Sequence, residues 1–135
     1  MSKEVIMENE FICLSFHPEK KVIHHEVKTG FVPGEVFKNS LIRGNEVLKL
    51  KRATRWFSDN RKSGPVDHAV EEWINTVWVD TAVKAGWKYW ALILPATAVG
   101  KMNMQRFAKS FASKGAEVQV FTDPDVGMKW LEERP

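Results

Sequence analysis

One short apolar run constrains the fold of this chain more than any other segment. Residues 89–94 have the sequence Tyr-Trp-Ala-Leu-Ile-Leu, and Pro95 follows directly. A run of this length is typical of a strand rather than of a helix. Strands without polar alternation are usually buried on both faces, as in a sheet with helices on both sides. The run therefore predicts a central strand of an α/β domain.

Two helical patterns flank this run. The helix before it is predicted to begin after the cap Asp67 and to end near Ala85, before Gly86. Its apolar residues recur with helical spacing: Val70, Trp73, Ile74, Val77 and Trp78. The helix after the run is predicted between the cap Asn103 and the terminating Gly115. Its apolar residues recur in the same way: Met104, Phe107, Ala108 and Phe111.

The other predicted strands extend this alternation. Residues 11–16 and 22–27 are rich in β-branched and aromatic residues, and a polar turn around Pro18 separates them, so they predict an antiparallel hairpin. Two further strands are predicted at residues 55–59 and 117–121. The resulting order, ββαβαβαβα, predicts a mixed, mostly parallel sheet with an N-terminal antiparallel hairpin.

Two more helices complete the predicted order. The first opens at Pro33-Gly34, and its apolar side carries Val36, Phe37, Leu41, Val47 and Leu48. Ile42 does not fit that side. The polar side carries Lys38, Asn45, Lys49 and Arg52. The last helix begins at Asp123-Pro124, a cap followed by a proline in the first turn, and is predicted to bury Val126, Trp130 and Leu131.

Composition bounds the class of protein. With 135 residues, 44% of them hydrophobic and 27% charged, the chain has the size and residue usage of one globular domain. The single cysteine, Cys13, excludes an internal disulfide and a Cys-x-x-Cys site. No apolar run reaches the length of a membrane span, and the first residues lack the apolar stretch of a signal peptide. We therefore expect a cytoplasmic protein with no membrane partner.

Charge and histidine content give no sign of nucleic acid or metal. The net charge of +3 is too small to predict a nucleic-acid partner by itself. Basic residues concentrate between Arg43 and Lys62, but the aromatic residues there belong to a predicted strand, so nucleic-acid binding is not expected. His24 and His25 are adjacent on a strand and point to opposite faces, so they cannot share one ion. No metal site and no cofactor are predicted.

Polar residues collect beyond the carboxyl ends of the parallel strands, where ligands bind in open α/β sheets. The candidate binding residues at this edge are Asp59, Asn60, Arg61, Asp67, His68, Glu72 and Thr97. Helix caps and turns favour several of these residue types anyway, which is the alternative explanation for them. Asp59, His68 and Glu72 would supply acid, base and hydrogen-bond roles if they converge in a pocket.

The long helix before the central strand also predicts an interface. Ala69, Val79 and Val83 lie outside its apolar stripe, and Trp78 lies at the margin. Exposed apolar and aromatic residues often mark contacts between proteins, and a twofold dimer is the commonest assembly. We expect a homodimer with Trp78 and Val79 in the contact. The alternative is that a neighbouring helix or the N-terminal arm covers these residues.

From Ala53 onward the chain resembles the STAS-like group, named for sulphate transporters and anti-sigma-factor antagonists, and in particular its small stand-alone bacterial members. The resemblance lies in the segment 55–61, Arg-Trp-Phe-Ser-Asp-Asn-Arg, in Glu72-Trp73, in residues 89–95, in Phe121 and in Trp130-Leu131. It implies that residues 1–135 form a single STAS-like domain. It also implies a non-enzymatic switch or binding module.

The resemblance also implies where a switch would lie. Anti-sigma-factor antagonists of this group are phosphorylated on a serine at the start of the second helix. The corresponding residues here, 66–69, are Val-Asp-His-Ala and offer no hydroxyl group. We therefore expect a cytoplasmic binding or regulatory module that contacts an unknown protein partner through residues 60–73, without a phosphorylated serine. The alternative is a small-molecule-binding protein or an enzyme that uses the polar carboxyl edge.

Overall fold

A computed structural model describes residues 3–135 and shows an α/β fold built on a six-stranded mixed sheet. The strands lie in the sheet in chain order: β1 (Glu4–Glu8), β2 (Ile12–His17), β3 (Val22–Val27), β4 (Arg55–Asp59), β5 (Tyr89–Ile93) and β6 (Glu117–Phe121). The first three strands are antiparallel neighbours, and β3 to β6 run parallel. The predicted α/β class, the hairpin and the central strand are confirmed. The sequence pattern did not predict β1, which forms one edge.

Four helices lie within residues 3–135: α1 (Gly34–Leu50), a long helix, α4 (Ala98–Ser113) and α5 (Pro124–Glu132). The long helix consists of α2 (His68–Trp73), a π-helical turn (Ile74–Trp78) and α3 (Val79–Ala85). Gly86 ends it with a φ of 114°, in the left-handed region that favours glycine. Across residues 3–135, the length and hydropathy that a membrane-spanning helix needs are not found together in any helix.

The helices divide unequally between the two faces of the sheet. On one face, α1, the long helix and α4 pack over a core that includes Trp56 and Trp90. On the other face, α5 packs over a smaller core that includes Phe57 and Ile93. Each of the parallel strands β4, β5 and β6 lies beside the strand that precedes it in the chain. Right-handed crossovers then place the three connecting helices on the same face of the sheet.

Tryptophan rings fill the core beneath α1 and the long helix. Trp56, Trp78, Trp87 and Trp90 are all buried. The rings of Trp56 and Trp87 stack with their centroids 4.4 Å apart. Gly44 of α1 lies directly over Trp56, because a Cβ built on this glycine would come within 2.4 Å of the indole. The absence of a side chain at Gly44 therefore sets how closely α1 approaches the sheet.

The π-helical turn at Ile74–Trp78, which we also call the wide turn, changes which residues of the long helix face the core. The backbone N–H of Val79 bonds to the carbonyl of Ile74, five residues back instead of four. The extra residue rotates the rest of the helix, so that Val79 and Ala82 are fully buried while Val77 is 52% exposed. The predicted burial of Val77 was wrong because the prediction assumed α-helical spacing throughout.

The same rotation buries residues that were predicted to be exposed at a dimer interface. Val79 and Trp78 are both buried within the chain, so neither offers surface to a second copy. Trp78 packs edge-on against Trp56 and Trp87, and its indole N–H donates a hydrogen bond to the Leu41 carbonyl at 3.3 Å. The premise that Trp78 and Val79 are exposed was therefore wrong. The homodimer itself stays a prediction.

Helix α4 begins earlier than the sequence predicts. Thr97 caps it, because its Oγ1 accepts a hydrogen bond from the Gly100 N–H at 3.1 Å. Asn103, the predicted cap, lies inside the helix and is buried. Its amide is engaged with another helix instead of with the end of its own helix.

Helix α5 begins where predicted, and the Asp123 side chain accepts a hydrogen bond from the Asp125 N–H at 2.9 Å. Val126 was predicted to be buried but is 53% exposed. Gly127 faces the sheet in its place, since a Cβ there would come within 2.8 Å of Ile93. The close approach of α5 to the sheet explains why the small residue takes the inner position.

Candidate functional site

Asp59 and Arg61 form a well-defined ion pair at the carboxyl edge of the sheet. Asp59 ends β4 and is only 6% exposed. Its carboxylate accepts hydrogen bonds from Arg61 Nε at 3.0 Å and from Arg61 Nη2 at 2.7 Å. Burial by itself would raise the pKa of Asp59, but the hydrogen bonds from Arg61 outweigh it and hold the pKa below its usual value. Asp59 is therefore an ionised structural partner of Arg61.

The other predicted binding residues are spread along this edge. Asn60 is buried, whereas Asp67 and His68 are exposed at the start of α2 and Glu72 is exposed on the next turn. The Asp67 side chain makes no capping hydrogen bond, contrary to the prediction. Thr97 is exposed, and its hydroxyl oxygen is used as the cap of α4.

Asp59, His68 and Glu72 do not converge on one point. Because side chains alternate along a strand, Asp59 lies on the same face of β4 as Phe57, which is the face that α5 covers. His68 and Glu72 belong to the long helix, which packs on the opposite face. The acid and base set considered from the sequence is therefore not assembled in one pocket.

A small recess at the carboxyl edge lies between two loops. It has a volume of about 220 Å³ and is lined by residues 30–32, which precede α1, and by residues 63–67, which precede α2. The N–H of Gly64 donates to the Gly30 carbonyl at 3.1 Å and so joins the two loops. Phe31 is 72% exposed beside the recess. Among the predicted binding residues, Asp67 lines this recess.

A buried polar network supports the loop before α2. Glu71 accepts hydrogen bonds from Asn103 Nδ2 at 3.0 Å and from Arg106 Nε at 2.8 Å. Asn103 Oδ1 in turn accepts from the Val66 N–H at 3.2 Å. This network has no signal in the sequence, because its members come from separate helices and meet only after α2 and α4 pack side by side.

A larger groove, which we call the α1–α3 groove, runs between α1 and the long helix. Its volume is about 560 Å³, within the range of known small-molecule sites, roughly 300–1,000 Å³. The lining residues are Ile42, Asn45, Glu46, Lys49, Trp73, Val77, Trp78, Thr81, Lys84 and Ala85. Ile42 is 44% exposed and Val77 is 52% exposed, so exposed apolar side chains from both helices meet in one concavity.

The π-helical turn decides the composition of this groove. It directs Val79 and Ala82 into the core, and Val77, Thr81 and Lys84 are the residues that it leaves lining the groove. With α-helical spacing, Val77 and Thr81 would have faced the sheet. Wide turns of this kind occur frequently at functional sites.

Asn45 lines the groove with an amide that has no hydrogen-bond partner. The residue is 5% exposed, and neither its Nδ2 nor its Oδ1 is paired. Leaving a buried polar group unpaired costs about 1–3 kcal/mol. In the part of the chain that the structure describes, only Asn75 Oδ1 is in the same state. Asn45 was predicted on the exposed side of α1, which was wrong because α3 packs against that side.

The charge of the groove is positive. Lys49 and Lys84 line it, each in the last turn of its helix, and neither forms an ion pair within residues 3–135. Glu46 is the acidic residue of the lining, and Arg43 neutralises it across 3.3 Å. Both lysines lie toward the amino edge of the sheet, where α1 and α3 end. The groove thus joins an apolar stretch to a basic end.

Histidines on β3 are held in the neutral form. Burial lowers the pKa of His24 to about 4 and that of His25 to about 3. His24 Nδ1 lies 2.8 Å from His17 Nε2, and His25 Nε2 lies 2.8 Å from Ser40 Oγ. The two β3 histidines point to opposite faces, as predicted, since His24 contacts Phe57 while His25 faces α1. Across residues 3–135, no three histidine, cysteine, aspartate or glutamate side chains are placed to share a metal ion.

Comparison with known proteins provides no relative from which a function could be transferred. No protein-family model, no curated protein and no solved structure matches this chain. The STAS-like resemblance therefore stays a prediction. The function has to be inferred from the geometry of the groove and of the carboxyl edge.

Proposed function

We propose that this protein is a binding module that takes a small amphipathic ligand in the α1–α3 groove. The observation that carries the proposal is the unpaired amide of Asn45 in a groove of about 560 Å³. Buried polar groups in folded proteins nearly always have a partner. A buried amide without one, beside an open groove, fits a group whose partner comes from outside the chain.

The composition of the lining supports the same proposal. Ligand sites combine mostly apolar walls with a few polar groups that fix the orientation of the ligand. Here Ile42, Trp73 and Val77 supply apolar area, while Asn45 and two lysines supply the polar groups. The proposal keeps the binding or regulatory role expected from the sequence and moves the site from the carboxyl edge to the groove between two helices.

A neutral apolar dye tests whether the groove binds ligands at all. We expect N-phenyl-1-naphthylamine to bind with a Kd below about 1 mM, equivalent to about −4 kcal/mol. Backbone amide shifts in ¹⁵N spectra should be concentrated at Ile42, Val77 and Thr81, which line the groove. The dye's fluorescence should rise on binding because it leaves water.

Two matched valines provide the variant and its control. Val77 in the groove is 52% exposed, and Val126 on α5 is 53% exposed. Val77→Glu should weaken dye binding at least tenfold, because it places a charge on the apolar wall, and Val126→Glu should leave binding unchanged. Equal effects of the two variants, or no binding by the unmodified protein, would reject the groove as the site.

A second candidate function is contact with a protein at the carboxyl edge, as the sequence predicted. One observation favours it, namely the 72% exposed ring of Phe31 beside the recess. Aromatic residues are enriched at protein contacts. Leu50 is a control at the other end of α1, since it is 77% exposed.

Quantitative affinity capture separates this candidate from nonspecific adhesion. A genuine partner should be recovered equally by the unmodified protein and by Leu50→Ser, and lost with Phe31→Ser. Alanine substitutions at His68 and Glu72 should reduce recovery as well, because both side chains are exposed along the same edge. Equal recovery by all variants would exclude this edge as the contact.

A further inference from the structure

We infer that the ligand of the α1–α3 groove is an apolar organic carboxylate that carries an amide group, of which an N-acyl amino acid is the simplest example. The inference rests on the proposed function, because it assigns chemistry to that same groove. Three parts of the groove, in order along α1, correspond to three parts of such a ligand. These are an apolar wall, the amide of Asn45 and a pair of lysines.

The apolar wall fits a hydrocarbon chain. Ile42 and Val77 are about half exposed, from opposite helices, and Trp73 lies partly exposed beside them. From Trp73 to Lys84 the groove follows eleven residues of the long helix, which is about 16 Å at the helical rise. An extended ligand with a chain of about eight carbons, an amide and a carboxylate has a comparable total length, and its hydrocarbon part would cover the apolar wall.

The side chain of Asn45 favours an amide over other polar groups. A carboxamide offers donors on Nδ2 and acceptor sites on Oδ1, and both atoms of Asn45 are unpaired. A carboxylate would pair with Nδ2 and leave Oδ1 without a donor. A ligand amide presents one N–H and one carbonyl oxygen, so it satisfies both once the Asn45 side chain turns toward the opening.

The basic end of the groove favours a negatively charged group. Lys49 and Lys84 contribute two positive charges, while Glu46 is already paired with Arg43. The carbonyl ends of α1 and α3 also lie here, and each acts as roughly half a negative charge. The two positive charges of the lysines exceed the partial negative charges of the two helix ends, so this end of the groove remains positive. Lys49 lies about one helical turn beyond Asn45 on α1, so a ligand carboxylate bound there would follow the ligand amide.

Three related compounds test the inference by calorimetry at low ionic strength. N-octanoylglycine carries the chain, the amide and the carboxylate. Its methyl ester lacks the charge, and O-octanoylglycolic acid replaces the amide N–H by an ester oxygen. We expect N-octanoylglycine to bind at least tenfold more tightly than either analogue, and to displace N-phenyl-1-naphthylamine from the groove.

Variants assign each preference to its side chain. Lys84→Met should reduce the preference for N-octanoylglycine over its methyl ester to about twofold, and Lys129→Met, in the last turn of α5, should leave it unchanged. Asn45→Ala should remove the preference over O-octanoylglycolic acid without affecting the preference over the methyl ester. Asn39→Ala, on an exposed position of α1, is its control.

The outcomes separate this inference from the proposed function. If the dye binds the groove while the three compounds bind equally, the groove is a ligand site and the assigned ligand chemistry is wrong. If neither the dye nor N-octanoylglycine binds, the proposed function itself fails. Preferences that persist in both Lys84→Met and Asn45→Ala would place the compounds elsewhere on the protein and overturn the inference.

Discussion

Val79 donates its backbone N–H to the carbonyl oxygen of Ile74, five residues earlier, and this bond fixes which side of the long helix faces α1. Before the wide turn, Val70 and Ile74 face the core, and after it Val79 and Ala82 do so. The turn therefore contains one residue more than an α-helix needs to join the two buried stretches. The groove beside α1 depends on that residue.

Removing one residue from the wide turn should restore regular α-helical spacing without moving the buried side chains. Deletion of Thr76 would bring Ile74, Trp78 and Val79 into one α-helical stripe, so we expect thermal stability to stay close to that of the unmodified protein. Deletion of Thr81, an exposed residue of α3, should cost much more, because it rotates Ala82 out of the core. Thermal unfolding followed by circular dichroism measures both, and equal losses would contradict the role given to the wide turn.

Asn45→Ala should stabilise the ligand-free protein. The substitution removes two unpaired buried polar atoms, each of which costs about 1–3 kcal/mol, and alanine also favours the helix. Asn39→Ala, at an exposed position of α1, should provide only the helix-propensity gain of at most about 0.7 kcal/mol. Urea unfolding gives both values. A gain at Asn45 no larger than at Asn39 would mean that the amide is paired in solution.

Gly44→Ala should destabilise the protein although alanine is the better helix former. The new Cβ would meet the Trp56 ring at 2.4 Å, and overpacking of this kind typically costs about 1–3 kcal/mol. That cost exceeds the gain of about 1 kcal/mol expected for glycine to alanine in a helix. Urea unfolding should show a net loss, and the loss should disappear in a Trp56→Phe background, where the ring is smaller.

Arg61→Ala should destabilise the protein at neutral pH by about 1–3 kcal/mol, because it leaves the buried Asp59 carboxylate without its cation. The pKa of Asp59 should then rise, since burial is no longer opposed by the guanidinium. In an Asp59→Asn background the same substitution should cost less. A double-mutant cycle in urea measures the coupling, and strict additivity would show that the ion pair contributes nothing.

The free energy of unfolding should decrease as pH falls from about 6.5 to about 4. The folded protein keeps His24 neutral down to a pKa of about 4 and His25 down to about 3, whereas an unfolded histidine titrates near 6.5. Over that interval the unfolded state binds more protons, so acid favours unfolding. Asp59 adds to this loss only below about pH 5, where an unfolded aspartate begins to bind protons while the lowered pKa of Asp59 keeps it ionised in the folded protein.

Histidine variants check this assignment. Urea unfolding at pH 7.5, 6.0 and 5.0 should show a smaller pH dependence for His24→Asn than for the unmodified protein. Asn39→Ala, at an exposed residue of α1 that does not titrate, should retain the full dependence. An unchanged slope in His24→Asn would show that the pKa of this histidine is similar in the folded and unfolded states, which would contradict the assignment.

The sequence predicted those features whose causes are local. The apolar run at residues 89–94 predicted the central strand, Gly86 predicted the end of the long helix, and Asp123-Pro124 predicted the start of α5. Each depends on residues close together in the chain, so its signal is present before any tertiary contact forms. STAS-like membership and the homodimer do not depend on a local signal of this kind, and both stay predictions.

The groove could not be predicted because it is a property of two helices together. Ile42 was identified as a misfit, but nothing in the sequence of α1 shows that Val77 lies opposite it. The wide turn that exposes Val77 interrupts the regular helical spacing, and a prediction that assumes constant spacing cannot detect it. Asn45 was placed on the polar side for the same reason, since its burial comes from α3.

The sequential order of the strands has a consequence for synthesis of the chain. Each strand pairs with the strand that left the ribosome just before it, so the sheet can grow from β1 toward β6 as the protein is made. No later strand has to be inserted between two that have already paired. Helix α5 is the exception, because it covers Phe57 and Ile93 only after residues 124–132 have emerged. A nascent chain that stalls before Pro124 would therefore present that apolar face of the sheet to chaperones and to other chains.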